Sequence, residues 1–301
     1  MNEKLTEEKR QDYLRAGELA GEVREKGVEM VAPGKKILEI AEEIEDGIRE
    51  GGGEPAFPAN ISINEKAAHY SPPEDDDAEI EEEDLVKIDV GVHINGYIGD
   101  TATTVYAGEG KSEMVQAINQ VLENAIDFIE PGVDVGKIGE IIEKATEEKG
   151  YSPIKNLTGH NLERWSLHGG ISIPNVKEDV GKELEAGDVI ALEPFLTDGE
   201  GEVEDMPEVY IFRYEGNKGV SGWMALQTLR KIKDNYGKLP FAERWLTKDL
   251  SRIRLQMTLR ELLASESIHP YYVLKEVDNG QVAQAEHTMI VTEQGCEVTT
   301  R

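Results

Sequence analysis

LVKIDVGVHINGYIGDTATTV, residues 85–105, is the stretch that decides the fold, because its pattern predicts a β-hairpin. Asn95-Gly96 suits a type I′ turn, and β-branched residues flank it on both sides. A turn at this dipeptide pairs residue 94 with 97, residue 91 with 100 and residue 89 with 102. The register of the whole hairpin therefore follows from the two turn residues.

Two aspartates of this hairpin share one face. Opposed residues and residues two apart point the same way, so Asp89 and Asp100 lie diagonally, about 7–8 Å apart between Cα atoms. Gly91, opposite Asp100, is expected to leave the space above this face open. Unpaired carboxylates on a buried face are costly, and a divalent cation would relieve their repulsion. The alternative is an exposed acidic face, which the apolar residues on the opposite face of the hairpin disfavour.

The strand that carries Asp89 belongs to a segment that recurs later in the chain. EIEEEDLVKID (79–89) aligns with ELEAGDVIALE (183–193), and each segment ends on a carboxylate. Each also follows a pair of predicted helices that Pro-Gly separates, at 33–34 and 131–132. A duplicated α+β unit about a pseudo-twofold axis, with a site between the halves, is the economical interpretation. Chance similarity of two short acidic segments is the alternative.

Further candidate metal ligands occur in strand-like contexts. Glu193 ends the apolar run of VIALEP, and Glu286 lies in the middle of VAQAEHTMIV, where a carboxylate needs a partner. TGHNLERWSLHGG contains His160 and His168. Several carboxylates with one imidazole suit a pair of hard or borderline divalent ions. Two such ions can share and activate a water molecule for hydrolysis.

The order of five of these residues resembles the ligand set of the pita-bread metallopeptidases. In this sequence the set is Asp89, Asp100, His160, Glu193 and Glu286. All five positions are intact, which disfavours a non-catalytic binding module with this fold.

The chain is most similar to the type 2 methionine aminopeptidases, and the similarity covers essentially all of it. FPANISINEKAAHY (57–70) and GHNLERWSLHGG (159–170) resemble the segments that carry two substrate-contacting histidines, here His69 and His168. The resemblance implies an α+β pita-bread fold: a duplicated α/β unit with pseudo-twofold symmetry, forming one catalytic domain over 1–301. It also implies a helical insertion subdomain at 211–270. X-Pro aminopeptidases and prolidases, which share the ligands but lack this insertion, are the alternative enzymes.

The same resemblance implies a reaction. The enzyme would remove the initiator methionine from nascent polypeptide N-termini, preferentially before a small second residue. Two divalent ions would activate water, and the sequence leaves Co, Mn, Fe and Zn open. Glu193 would act as general base, while His69 and His168 would hydrogen-bond the substrate carbonyl. Three residues are expected to form the methionine pocket: Phe57, Leu167 and Tyr271.

The amino-acid composition excludes several kinds of partner and site. Asp and Glu number 61 against 32 Lys and Arg, a net charge of −29, which as a whole repels nucleic acid and anionic membranes. The single cysteine, Cys296, excludes an intramolecular disulfide and a Cys-rich zinc site. The N-terminal residues are charged, unlike a secretory signal, and no run approaches the roughly 18 apolar residues of a membrane span. We expect a cytoplasmic protein that acts as a monomer, without membrane contact.

One segment departs from this acidic character. Residues 218–260 hold ten Lys and Arg against three Asp and Glu, a balance of +7. A basic helical face on an acidic enzyme could dock onto ribosomal RNA, where nascent chains emerge. The alternative is that these charges pair with the acidic body of the protein.

Overall fold

The computed structural model describes residues 5–248 and 250–301. The first four residues of the charged N-terminal stretch and Asp249 of the basic segment lie outside the described part. The helices are α1 (Glu7–Glu29), α2 (Ile37–Glu50), α3 (Glu113–Ile126), α4 (Val135–Glu148), α5 (Trp223–Tyr236) and α6 (Arg252–Ala264), with a 3₁₀ helix at Glu243–Leu246. No helix within the described ranges is long and apolar enough to cross a membrane.

The strands are short except around the site. They are β1 (Glu54–Pro55), β2 (Asn60–Ile63), β3 (Lys66–Ala68), β4 (Leu85–Ile94), β5 (Tyr97–Tyr106), β6 (Ser152–Pro153), β7 (Thr158–Asn161), β8 (Ser172–Pro174), β9 (Val189–Leu192), β10 (Phe195–Thr197), β11 (Val203–Tyr214), β12 (Phe241–Ala242), β13 (Ile268–Glu276), β14 (Val282–Gln284), β15 (His287–Thr292) and β16 (Gly295–Val298).

The helices before each half are amphipathic and cover the sheets. In α2 the isoleucines at 37, 40, 44 and 48 follow helical spacing and are buried in the core beneath β4. In α3 and α4 the corresponding apolar faces form a second core with β9, β14 and β15. The two helix pairs predicted from the sequence are thereby confirmed, and each pair buries one half of the sheet system.

The predicted hairpin is confirmed in its register. Ile94 pairs with Tyr97, Gly91 with Asp100, and Asp89 with the residue at 102. The expectation that the space above Gly91 is open was wrong. A Cβ built on Gly91 would lie 2.2 Å from Cε1 of Phe57, because that ring packs against the glycine. Gly91 therefore admits an aromatic side chain to the hairpin face that carries the aspartates.

The internal duplication is visible in matching backbone contacts. Lys36 bridges to Glu79 in the first half, and Asp134 bridges to Glu183 in the second. The Gly34 amide donates to the Ile80 carbonyl at 2.8 Å, and the Gly132 amide donates to the Leu184 carbonyl at 2.8 Å. The segments aligned from sequence thus occupy the same place in two similar units.

The two halves meet beside the aspartates. Ala102 of β5 and Glu286 form an antiparallel bridge, and the Glu286 amide donates to the Ala102 carbonyl at 2.9 Å. The hydroxyl of Thr288 accepts from the Asp100 amide and donates to the Asp100 carbonyl, each at 2.8 Å. Carboxylates from both halves are consequently brought to one point.

Helices α5 and α6 occur between β11 and β13, within the segment predicted as an insertion. Their buried residues, including Leu229, Ile232, Leu255 and Leu262, share an apolar cluster with Phe241 of β12. Strands β11 and β13 pair with each other, and β13 also pairs with β3. The helices therefore pack against the sheet of β11, β12 and β13. The same sheet includes β3, which His69 follows.

Candidate active site

One cavity of about 250 Å³ gathers every residue that the sequence nominated for the site. Those residues are Phe57, His69, Asp89, Asp100, His160, Leu167, His168, Glu193, Tyr271 and Glu286. They come from β4, β5, β7 and β13, from residues that follow β3, β9 and β14, and from two loops. Tertiary packing of both halves is thus required to form it.

A cluster of carboxylates and one imidazole lies on the floor of the cavity. Asp100, His160 and Glu286 each offer a ligand atom, and these atoms lie within 4.8 Å of one another. The His160 Nε2 atom is 3.4 Å from Glu193 Oε1 and 3.8 Å from Asp100 Oδ2. Such spacing leaves room for cations between the oxygens and the nitrogen.

Asp89 joins the cluster from the same hairpin face as Asp100. The Asn60 amide donates to Asp89 Oδ2 at 3.2 Å, because β2 pairs with β4 and places Asn60 opposite Asp89. The Oδ1 atoms of both aspartates are buried and have no hydrogen-bond partner among the described residues. Two buried carboxylate oxygens without hydrogen-bond partners, both lining one cavity, fit divalent metal ligation.

The electrostatics agree with a cation site. Burial raises the pKa of Asp89 to about 7. Burial, followed by repulsion from Asp89, raises the pKa of Asp100 well above its usual range. The pKa values of Glu193 and Glu286 are raised in the same way, first by burial and then by the neighbouring carboxylates. A divalent cation would favour the ionised forms of these carboxyl groups and offset the repulsion between them.

The imidazole of His160 suits a metal ligand for the complementary reason. Burial, with a smaller contribution from His168, lowers the pKa of His160 to about 3. The ring is therefore neutral at physiological pH and keeps a lone pair for a metal. The His160 and His168 rings lie 4.6 Å apart between centroids.

Two other histidines border the cluster. His69 has a left-handed backbone, with φ of 64°, and its Nδ1 lies 3.0 Å from the Tyr272 carbonyl oxygen. Burial lowers the pKa of His69. Burial, and then the charge of Arg213, lowers the pKa of His168. A lowered pKa favours the neutral form of both rings. Nδ1 of His69 carries the proton because a carbonyl oxygen only accepts.

The cavity also has an apolar wall. Phe57 and Leu167 belong to one buried cluster, and the Tyr271 ring lies 5.5 Å from the His69 ring. Sequence reasoning missed five further apolar lining residues: Ala68, Leu157, Phe195, Ile211 and Pro240. It also missed Asn60, whose only signal was its place in the segment that carries Phe57 and His69. The pairing of β2 with β4 that brings Asn60 to Asp89 has no sequence marker.

Residues 11–293 match the sequence model of metallopeptidase family M24. The chain belongs to this family. A protein of Methanothermobacter thermautotrophicus named methionine aminopeptidase is 46% identical over 293 residues, which cover 96% of this chain and 98% of the relative. Membership agrees with the buried carboxylate and imidazole cluster, because metallopeptidases bind metal through such groups.

Two solved structures share the fold of this chain. A methionine aminopeptidase from Thermotoga maritima superposes with a TM-score of 0.74 at 22% identity, covering 100% of both chains. A thermophilic Arx1 superposes with a TM-score of 0.84 at 19% identity, covering 98% of this chain and 91% of the other. The predicted α+β pita-bread class is thereby confirmed.

Proposed function

We propose that this M24 metallopeptidase removes the N-terminal initiator methionine from nascent proteins, preferentially when the second residue is small. The observation that carries the proposal is the single cavity in which a buried metal-binding cluster adjoins an apolar wall. The methionine aminopeptidase from Methanothermobacter thermautotrophicus, matched over nearly its full length, supports the same reaction. An apolar pocket suits the unbranched thioether side chain of methionine.

Five residues would hold two divalent ions: Asp89, Asp100, His160, Glu193 and Glu286. When bound, two such ions supply an activated water nucleophile and withdraw charge from the scissile carbonyl. The donor set of oxygens with one nitrogen accepts Co, Mn, Fe or Zn. The ion present in the cell depends on availability as well as affinity.

Three side chains of the protein then carry out proton transfer and hydrogen bonding to the substrate. Glu193 accepts the proton of the attacking water. Because Nδ1 of His69 donates to the Tyr272 carbonyl, Nε2 of the neutral ring is an acceptor and suits the scissile amide N–H. Donation to the substrate's carbonyl oxygen is left to His168, so the shared role expected from the sequence is split between the two histidines.

The methionine side chain would contact the apolar wall. Phe57, Leu167 and Tyr271 are the proposed pocket residues, and the Phe57 ring packs on Gly91 beside the aspartates. The recognised side chain would then lie next to the reacting carbonyl. We further propose that residues 211–270 act as a helical insertion subdomain within a single catalytic domain spanning 1–301.

Metal analysis combined with peptide hydrolysis tests the function. The purified protein should bind a divalent metal, and it should release methionine from Met-Ala-Ser. A chelator should abolish this activity, and a divalent ion should restore it. Faster hydrolysis of Ala-Pro peptides would favour an X-Pro aminopeptidase or prolidase. Metal-free protein that cleaves neither peptide after metal addition would favour a binding module.

We also propose that the enzyme acts as a cytoplasmic monomer that docks on ribosomal RNA through its basic insertion. Support comes from the exposure of five cationic side chains, Arg230, Lys231, Lys233, Arg252 and Arg254. Exposed Ile253 and Met257 on α6 lie beside them. In contrast, Arg244 is buried in an ion pair with Glu45, and Arg252 also contacts Asp75, so part of the charge pairs with the acidic body.

Co-sedimentation with ribosomes at several salt concentrations tests this docking. The variant with those five residues changed to Gln should lose binding at low salt, and wild-type binding should fall steeply as salt rises. A matched control changes five exposed basic residues outside the insertion to Gln. These are Arg15, Lys111, Lys144, Lys149 and Lys177. Equal binding by both variants, or none by the wild type, contradicts the proposal.

A further inference from the structure

A buried polar cluster joins the insertion to the first half of the molecule. Glu45 of α2 and Arg244 of the 3₁₀ helix form an ion pair, and both side chains are about 5% exposed or less. The Trp245 indole also donates to Glu45 Oε2 at 2.7 Å. Burying two charges is costly, so a pair retained here needs a local reason beyond stability.

The same two charged groups also contact the segment that carries the site. Glu45 Oε1 accepts from the Ala59 amide at 3.2 Å. Arg244 donates to the Ser71 hydroxyl at 2.5 Å and to the Pro72 carbonyl at 3.2 Å. The Ser71 hydroxyl donates in turn to the Ala59 carbonyl at 3.0 Å, which joins the two ends of the segment that contains β2 and β3. The ion pair is therefore hydrogen-bonded to both ends of the segment 59–72.

His69 lies between those two ends. Its left-handed φ of 64° is uncommon for a residue other than glycine and persists only where neighbours restrain it. On one side β3 pairs with β13, and the ring bonds to the Tyr272 carbonyl. On the other side the chain runs through Tyr70 directly into Ser71. Arg244 thus contacts a residue only two positions along the chain from the proposed catalytic histidine.

We propose that Arg244, paired with Glu45, is a positioning residue through which the helical insertion holds His69 against the scissile bond. This inference rests on the proposed function for the role of His69. The insertion thereby contributes to catalysis without touching the substrate. Loss of the pair would let residues 59–72 move, and a displacement on the order of 1 Å can cost up to about 10²-fold in rate.

The test variant removes both charges together. Glu45→Gln with Arg244→Met leaves no unpaired buried charge, which guards against simple unfolding. We expect about a tenfold fall in kcat on Met-Ala-Ser with bound metal unchanged. The decisive comparison adds His69→Ala: in that background the double change should alter kcat by less than about twofold, because the residue it positions is gone. Additive effects would overturn the proposal.

Hydrogen exchange gives a readout that does not depend on activity. Peptides covering residues 57–72 should exchange faster in the double variant, while peptides from β15 and β16 should be unchanged. Arg252→Gln is the matched control, because it removes an exposed ion pair of the same insertion with Asp75. Its exchange should equal that of the wild type. Unchanged exchange over 57–72 in the double variant would also overturn the proposal.

These readouts separate the two hypotheses. If the wild type fails to cleave methionine peptides, the proposed function is wrong, and hydrogen exchange still reports whether the pair restrains the segment. If the wild type cleaves them and the double variant combines additively with His69→Ala, the positioning role alone is wrong.

Discussion

The two halves of the molecule present their carboxylates through different connections. In the first half, Asp89 and Asp100 lie on β4 and β5, which a two-residue turn joins. In the second half, Glu193 and Glu286 follow β9 and β14, and the chain between them includes α5 and α6. The paired strands β9 and β15 nevertheless repeat the arrangement of β4 and β5.

The longer connection accounts for what the second half adds. It contains Arg244 and Tyr271. His160 comes from outside that connection, on β7, which pairs with β9. The first half contributes two candidate metal ligands, Asp89 and Asp100, together with His69 and the wall formed around Phe57. A duplicated unit can therefore keep equivalent carboxylates in both copies while one copy alone acquires a long helical connection between them.

The largest expected effect comes from removing one ligand in each half. Asp100→Asn and Glu286→Gln should each lose bound metal and reduce kcat/KM on the order of 10³-fold or more, because several kcal/mol of metal-derived stabilisation disappear. Metal content and Met-Ala-Ser hydrolysis are measured together. Full activity in either variant after verified metal removal would break the equivalence of the two halves.

The histidines should give the next largest effect and separate two kinds of role. His69→Ala and His168→Ala should keep bound metal and lose about 10²-fold in kcat, as expected when a hydrogen bond to the reacting group is removed. His160→Ala should lose metal instead. A metal-free His69→Ala protein beside a metal-replete His160→Ala protein would reverse the assignment.

Metal affinity should depend on pH. Burial raises the pKa of Asp89 to about 7, so protons compete with the metal below that value, and this group alone should weaken binding about fivefold from pH 7 to pH 6. In metal-free protein a raised carboxyl pKa stabilises the fold fully below about pH 4, and this stability is lost as pH rises through 7. Thermal unfolding with and without metal measures both. Stability of the metal-free protein that rises from pH 5 to pH 8 would contradict the assignment.

The smallest effect is expected at the contact that distinguishes the first half. Gly91→Ala places a Cβ against the Phe57 ring, which should raise KM for Met-Ala-Ser a few-fold and destabilise the protein by about 1–3 kcal/mol. Adding Phe57→Leu should recover the lost stability by removing the clash. An unchanged KM in Gly91→Ala would show that the Phe57 wall does not contact the substrate.

Much of the site could be predicted because its first half is local. The Asn95-Gly96 turn sets the pairing of Gly91 with Asp100, and strand alternation then places both aspartates on one face. The second half could be located because its sequence repeats the first, as the bridges at Glu79 and Glu183 confirm. Residues that lack a local pattern, such as Asn60, could not be found in this way.

By itself, the sequence determined the hairpin register, the helix pairs, the repeat and the identity of the candidate ligands, because turn chemistry and side-chain alternation act over a few residues. Tertiary structure alone decided three things. It filled the space above Gly91 with Phe57, set Asn60 against Asp89, and paired Arg244 with Glu45. Each of these contacts joins segments whose approach depends on how whole elements pack, and no local pattern in either partner encodes that approach.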